Sequence, residues 1–342
     1  MHFKQIDSLR AIAVTMVFLY HWLPSVVLFH DWHLGSLGVS VFFVLSGFLI
    51  TKILLTEKEK IDNNKQTLAS AFKLFYARRT LRIFPIYYLL LLFLFALNFQ
   101  EVRSEILWHA TYSSNILYFL NGTFSNGLSH LWSLCVEEQF YLVWPILLFL
   151  VPFKHLKTFF FSTILLGLVS QVLLSNYSPL GEVLMIAKVD AFGWGGLLAY
   201  LFSYEKINWH KIAKLYWLQA VVAIGFIVSF FIAEASFGIC VFHCLCFFIV
   251  NQFVVGFTGW PKLFVENAAL IYIGKISYGI YLYHNLMQWL LPFFLKFVGL
   301  QLPANEYIKF VIYLAVTLMV SSLSWYVIET PINKLKSRFS YL

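Results

Sequence analysis

The chain has 342 residues, of which 61% are hydrophobic and only 12% charged, and its mean hydropathy is +0.78. Soluble domains run at about 45–50% apolar and about 25% charged, so a soluble globular protein is excluded and an integral membrane protein implied. The net charge of +8 reads as a property of one membrane face, and it gives no support to nucleic-acid binding.

A membrane-spanning helix needs about 20 mostly apolar residues. Ten segments qualify, the fourth by borrowing residues before it: 10–29, 36–55, 82–99, 139–153, 158–175, 182–203, 214–232, 237–256, 267–294 and 307–329. No polar stretch is long enough for a second domain. Residues 1–342 therefore read as one transmembrane domain, an all-α polytopic bundle of about ten helices. The opening "MHFKQIDSLR" runs straight into a long span without a small-residue cleavage site, so no cleavable signal is expected. Basic residues set the direction. With both termini cytoplasmic, Lys58, Lys60, Lys65, Lys73, Arg78, Arg79, Lys154, Lys206, Lys262 and Lys334 fall inside. Only Arg103, Lys296 and Lys309 fall outside. The expected location is a cytoplasmic (inner or plasma) membrane, with anionic lipid against the basic face.

The first span, "SLRAIAVTMVFLYHW", carries Arg10 and His21. Eleven helical steps separate them by about 16 Å, close to three full turns, so both project from one face. Arg10 is then at the inner headgroup level and His21 near the middle of a core about 30 Å thick. A guanidinium binds phosphate as a fork; a neutral imidazole accepts or relays a proton. At the third span, "FYARRTLRIFPIYY" places Arg78, Arg79 and Arg82 at the inner end, with Arg78/Arg82 and Arg79/Arg82 at helix-neighbour spacings. Together with Arg10 they suggest a site for a polyphosphate such as a nucleotide or coenzyme A. No Walker loop or GxGxxG is present. The aromatic but polar stretch 104–120 is expected as an outer, re-entrant or interfacial piece.

"HLWSLCVEEQFYLVWP", from His130 to Pro145, brings Glu137 and Glu138 into the membrane from the outer side. Successive helical residues point about 100° apart, so one of the two is expected to face the interior. Glu138 is favoured because Tyr141 and Pro145 share its face. Lys188 and Asp190 in the sixth span suggest an intramembrane ion pair. Cys240, Cys244 and Cys246 with His243 have a metal-like crowding, but buried thiols acting as small hydrophobes fit better, and no metal is expected. In the ninth span, "IGKISYGIYLYHN" repeats the first span's layout, with Lys275 about 13–14 Å before His284 and Tyr278 between. Charged groups inside a span mark functional sites.

These motifs, in this order, resemble the acyltransferase-3 family of integral-membrane acyltransferases over nearly the full chain. The resemblance rests on Arg10-x10-His21, the glycine-punctuated "LGVSVFFVLSGFLI", Arg79-x2-Arg82 in "YARRTLRIFPIYY", "HLWSLCVEEQFYLVWP", "ISYGIYLYH" and "IETPINKL". One position departs: relatives often have arginine before "MDA", where this chain has Lys188-Val189-Asp190-Ala191, keeping the charge without the fork. Many relatives append an extracytoplasmic SGNH hydrolase-like domain. The chain stops at Leu342, so any such partner is expected as a separate protein.

The resemblance implies transfer of an acyl group, usually acetyl, from cytoplasmic acyl-CoA to a hydroxyl of an extracytoplasmic glycan or lipid-linked sugar. On that expectation Arg10, Arg78, Arg79, Arg82 and Lys275 hold the donor. His21 acts as base or as an acyl-imidazole relay, and Glu137 or Glu138 orients the imidazole or the acceptor from the outer side. His284, Tyr278, Lys188, Asp190 and His130 supply further intramembrane polar groups. A transporter or flippase for an anion or lipid-linked sugar remains open on composition, since proton relays use the same residue types. Such proteins more readily show two related halves, and no clear internal repeat is visible.

Overall fold

The computed structural model describes residues 4–99, 102–124, 127–205, 207–232 and 235–339, and these contain helices and connections without a strand. That is the expectation for a chain in lipid, where every backbone polar group must be satisfied within its own segment. Helix α1 (Lys4–Trp22) ends before Pro24, and a short α2 (Val27–Asp31) follows. α3 (Leu34–Asp62) and α4 (Leu68–Leu97) are long, and Thr67 caps the latter by accepting from the Ser70 amide. Two short helices, α5 (Val102–Ala110) and α6 (Ser114–Asn121), occupy the stretch expected to be re-entrant or interfacial. Neither reaches the length of a span.

The second half continues with α7 (Leu131–Leu150), α8 (Leu156–Tyr177) and, after two 3-10 turns, α9 (Val189–Tyr204). Then come the short α10 (Trp209–Ala213), α11 (Tyr216–Ile232) and α12 (Ala235–Val255). α13 (Trp260–Val265), α14 (Ala268–Lys275), α15 (Ser277–Phe297), α16 (Glu306–Ser324), a π-helical turn at Trp325–Glu329 and α17 (Thr330–Lys334) close the chain.

Seven helices among the described residues are long and apolar enough to cross a membrane, and they coincide with seven of the ten expected spans. The other three expected spans are helical, but each has a local feature that shortens or breaks it. α1 carries Lys4, Asp7 and Arg10 at one end and stops at Trp22, because a residue before proline is pushed out of the helical region. The apolar part of α11 is short, from Tyr216 to Ser229. The ninth is not continuous: α14 ends at Lys275 and α15 starts at Ser277, with a break at Ile276.

Between membrane helices there is little hydrophobic drive, so close backbone approach and van der Waals packing hold the bundle. α3 crosses α9 at Gly47 and Gly195, where a Cβ on Gly195 would lie 2.1 Å from the Val44 carbonyl oxygen. Phe140 and Phe192 stack beside that crossing with ring centroids 3.8 Å apart, and buried Trp144 donates its indole N–H to Thr51 at 2.9 Å. Gly274 of α14 faces the backbone of Asp7 so closely that a Cβ would sit 1.8 Å from its carbonyl oxygen. That contact seats α1, and with it Arg10, against the broken ninth segment.

Candidate active site

A cavity of about 250 Å3 opens between α1, α3, α4, α7 and α15. Arg10 enters it from α1, and Arg79 and Arg82 from α4. The same cavity is lined by Glu137, Glu138 and Tyr141 from α7, Ser46 from α3, and Tyr278 and Tyr281 from α15. Three cations from two distant stretches of sequence therefore share one largely apolar cavity with two carboxylates.

Local structure explains the selection of arginines. Arg79 and Arg82, three residues apart, lie on one face of α4. The guanidinium of Arg79 rests 5.4 Å from the Tyr141 ring centroid, and Arg82 is exposed. Arg10 is steered by Asp7, whose buried carboxylate accepts from its Nη1 at 3.1 Å. Arg78 does not join them. It donates to the carbonyls of Lys336 and Phe339, at 3.1 and 2.6 Å, and so ties the C-terminal segment to α4. Lys275 is also outside the cavity: it is the exposed last residue of α14, and the break after it gives the wall to Ser277 and Tyr278 instead. The arginines are not at the start of a helix either, since α4 begins eleven residues before Arg79.

Both glutamates line the cavity. The expectation that only one faces inward is corrected here, because the space is wide enough to take two directions 100° apart. Their surroundings differ. Glu137 accepts from the Ser46 and Tyr141 hydroxyls. Glu138 accepts no hydrogen bond from the described residues and is the less occupied carboxylate.

His21 lies in the last turn of α1, not at mid-helix, because the helix stops at Trp22. It is not among the cavity-lining residues. It belongs instead to a row of three imidazoles, with ring centroids 5.0 Å apart from His21 to His284 and 5.1 Å from His284 to His130. Each ring has one nitrogen on a backbone carbonyl: His21 Nδ1 on Val17 at 2.8 Å, His284 Nδ1 on Tyr281 at 2.7 Å, His130 Nε2 on Leu282 at 3.1 Å. A carbonyl only accepts, so those nitrogens carry the protons. The remaining nitrogens of His284 and His130 are buried without a partner. Tyr281 joins the row to the cavity: its ring is 5.4 Å from that of His284, and its hydroxyl is 2.5 Å from Ser133 Oγ and donates to the His130 carbonyl at 3.1 Å.

The expected Lys188–Asp190 ion pair is not formed. Lys188 ends a 3-10 turn and reaches Glu182 at 3.2 Å, whereas Asp190, in the first turn of α9, pairs with His243 instead. Asp190 Oδ2 meets His243 Nδ1 at 2.6 Å, and His243 Nε2 lies 3.0 Å from Ser40 Oγ, all three buried. This pins α3, α9 and α12 together. Cys240 donates to Gln171 at 3.4 Å, and no group of three or more potential metal ligands occurs among the described residues.

Sequence reasoning missed Ser46, Ser133 and Tyr281. Ser46, a lone hydroxyl in the apolar run "VFFVLSGFLI", was the available signal; nothing in the pattern marked Ser133.

Comparison with known proteins follows the same motifs. The family model described as an acyltransferase domain, acyltransferase-3, matches residues 3–326. A Staphylococcus aureus (strain COL) protein provisionally named an O-acetyltransferase is 32% identical over 96% of this chain and 57% of its own length. The peptidoglycan O-acetyltransferase OatA of Listeria monocytogenes is 30% identical over 96% of this chain and 55% of its own. The O-acetyltransferase OatA of Staphylococcus aureus (strain NCTC 8325) is 28% identical, over 96% and 57%. The chain thus spans little more than half the length of these relatives. No solved structure matches it.

Proposed function

The chain belongs to the acyltransferase-3 family, and on that premise we propose that it is an O-acetyltransferase of the cytoplasmic membrane. It takes the acyl group from acyl-CoA and places it on a hydroxyl of a cell-envelope glycan or lipid-linked sugar. The observation that carries this reading is the single cavity that Arg10, Arg79 and Arg82 share with Glu137 and Glu138. Guanidinium forks match phosphate oxygens bidentately, so the arginines take the donor's phosphates, and the basic-residue asymmetry puts that mouth on the cytoplasmic side. The pantetheine arm then carries the thioester toward the glutamates.

In this reading Glu138 draws the proton from the acceptor hydroxyl as general base, a contribution of about 10²–10⁴-fold. The hydroxyl oxygen bonds to the acyl carbon and the carbon–sulfur bond breaks. The departing thiolate takes the proton from Glu138, so thioester and alcohol become ester and thiol. Glu137, held by Ser46 and Tyr141, keeps that wall in place. Geometry favours Glu138 over His21 as base because Glu138 touches the cavity. His21 and His284 act as positioning residues, holding Tyr281 in the wall through the ring contact and the His284 N–H on the Tyr281 carbonyl.

The test is consumption of [14C]acetyl-CoA by the purified protein in nanodiscs with host-cell envelope material. Release of free CoA with label entering the envelope fraction supports the reading. Intact acetyl-CoA, in a preparation that is folded by thermal melting, overturns it.

A further inference from the structure

A second cavity of about 180 Å3 shares Arg79, Glu138 and Tyr141 with the first. These three side chains form the partition between the two spaces. Anything bound in the second cavity therefore meets, at Glu138, whatever occupies the first.

The rest of its wall differs in kind. Thr80 and Tyr76 come from α4, Gln139 and Leu142 from α7, and Thr111 and Tyr112 from the turn between α5 and α6. That turn is built with care. Gln139 Nε2 donates to the Tyr112 carbonyl at 2.9 Å, and the hydroxyls of Tyr87 and Tyr88 hold the carbonyls of His109 and Ala110, each at 2.8 Å. Tyr112 sits at a φ of 51°, a left-handed conformation costly for an aromatic residue. Its ring stacks on Tyr87 at 4.3 Å and Phe84 at 5.7 Å, yet its hydroxyl, on a residue only 6% exposed, has no hydrogen-bond partner. An unmet buried hydroxyl costs about 1–3 kcal/mol, so a strained residue ending in one points to a ligand that supplies the missing bond.

The rim faces lipid. Leu142 is 61% exposed, and Ile146 and Leu150, one and two turns further along α7, are 44% and 73% exposed. Apolar side chains exposed along a membrane helix make a lipid-facing stripe, and the cavity mouth interrupts that stripe with threonine, tyrosine and glutamine.

We propose that this second cavity is the acceptor subsite, and that it receives a polyhydroxylated headgroup carried on a membrane lipid, delivered laterally between α4 and α7. The inference rests on the acyl-transfer reading and adds where the second substrate binds and that it is membrane-borne. Tyr112 and Thr80 hydrogen-bond the headgroup, while Gln139, committed to the Tyr112 carbonyl and to Asn115, holds the turn in place. One hydroxyl reaches Glu138 through the shared partition, where the acyl carbon arrives from the other side.

The experiment uses the full chain in nanodiscs with [14C]acetyl-CoA and two acceptor pools from the same host cells: the total lipid extract and the water-soluble glycans. Label should pass into the lipid pool. Tyr112→Phe and Leu142→Trp should each lower that transfer about tenfold, the loss of one good hydrogen bond or of access. Affinity for a non-hydrolysable acetyl-CoA analogue should stay within about twofold of the parent in both, which also shows that they fold. Label confined to the water-soluble pool overturns lateral delivery. Unchanged transfer to lipid in both variants overturns the subsite. If analogue affinity falls as far as transfer does, the second cavity belongs to the donor and the assignment is wrong. If the parent protein leaves acetyl-CoA untouched, the acyl-transfer reading itself fails and the inference falls with it.

Discussion

The Tyr141 hydroxyl donates to the Glu137 carboxylate from one turn further along α7, and Ser46 of α3 donates to the same oxygen. That pairing distinguishes two glutamates which the sequence presents as equals. Glu137 has one carboxylate oxygen engaged by two hydroxyls, whereas Glu138 lines both cavities.

Glu138→Gln should therefore abolish the proton transfer while leaving the shape of the wall intact. The expected loss is about 10²–10⁴-fold in kcat, with KM for acetyl-CoA near the parent value. Tyr141→Phe should cost less, about tenfold in kcat, by freeing Glu137 from one of its donors. Steady-state kinetics with labelled acetyl-CoA checks both. A Glu138→Gln enzyme with parental kcat would remove Glu138 from the chemistry.

His21 should behave as a positioning residue. His21→Ala removes the ring on which His284 rests and should lower kcat at least about tenfold, while His21→Gln, which keeps an N–H for the Val17 carbonyl, should recover part of it. Incubation with [14C]acetyl-CoA without acceptor should leave the protein unlabelled. A trapped acyl-enzyme whose label disappears in His21→Ala would instead make His21 an acyl carrier.

Much of this site was legible from helical periodicity. Arg10, Arg79 and Arg82 reach one cavity because their spacings place them on the inward faces of α1 and α4, and the motif order marked the family that the comparisons show. Where helices stop was harder to read. A hydropathy window runs through Pro24 and Ile276, so it carries the first span seven residues past the end of α1 and reads the ninth as one piece, which shifts the expected places of His21 and Lys275. Partners across helices were also hidden. A pattern on one helix gives the direction of a side chain but not its neighbour, so it pairs Lys188 with Asp190, whereas Glu182 and His243 are their partners. Arg78 shows the same limit: it shares a face with Arg82 by count, but the carbonyls of Lys336 and Phe339 are closer.

The Asp190–His243–Ser40 chain is buried away from the cavity and should act on stability. Removing one partner of a buried pair costs about 3–5 kcal/mol, because the other is left unmatched. Asp190→Ala and His243→Ala should each lower the thermal midpoint by several degrees in detergent, as followed by tryptophan fluorescence. The double variant should lose less than the sum of the two. Unchanged midpoints would mean that the contact does not lock α9 to α12.

If Arg10, Arg79 and Arg82 hold a phosphorylated acyl donor beside the glutamates, calorimetric binding of donor analogues will read their grip on the phosphates. A non-hydrolysable acetyl-CoA analogue should bind the parent protein at least about tenfold more tightly than the matching acetyl-pantetheine analogue, which lacks the nucleotide and its phosphates. Arg82→Ala and Arg10→Ala should each erase most of that difference, and Arg78→Ala should leave it in place. Equal affinity of the parent for the two analogues, or a loss in Arg78→Ala as large as in Arg82→Ala, would contradict the account.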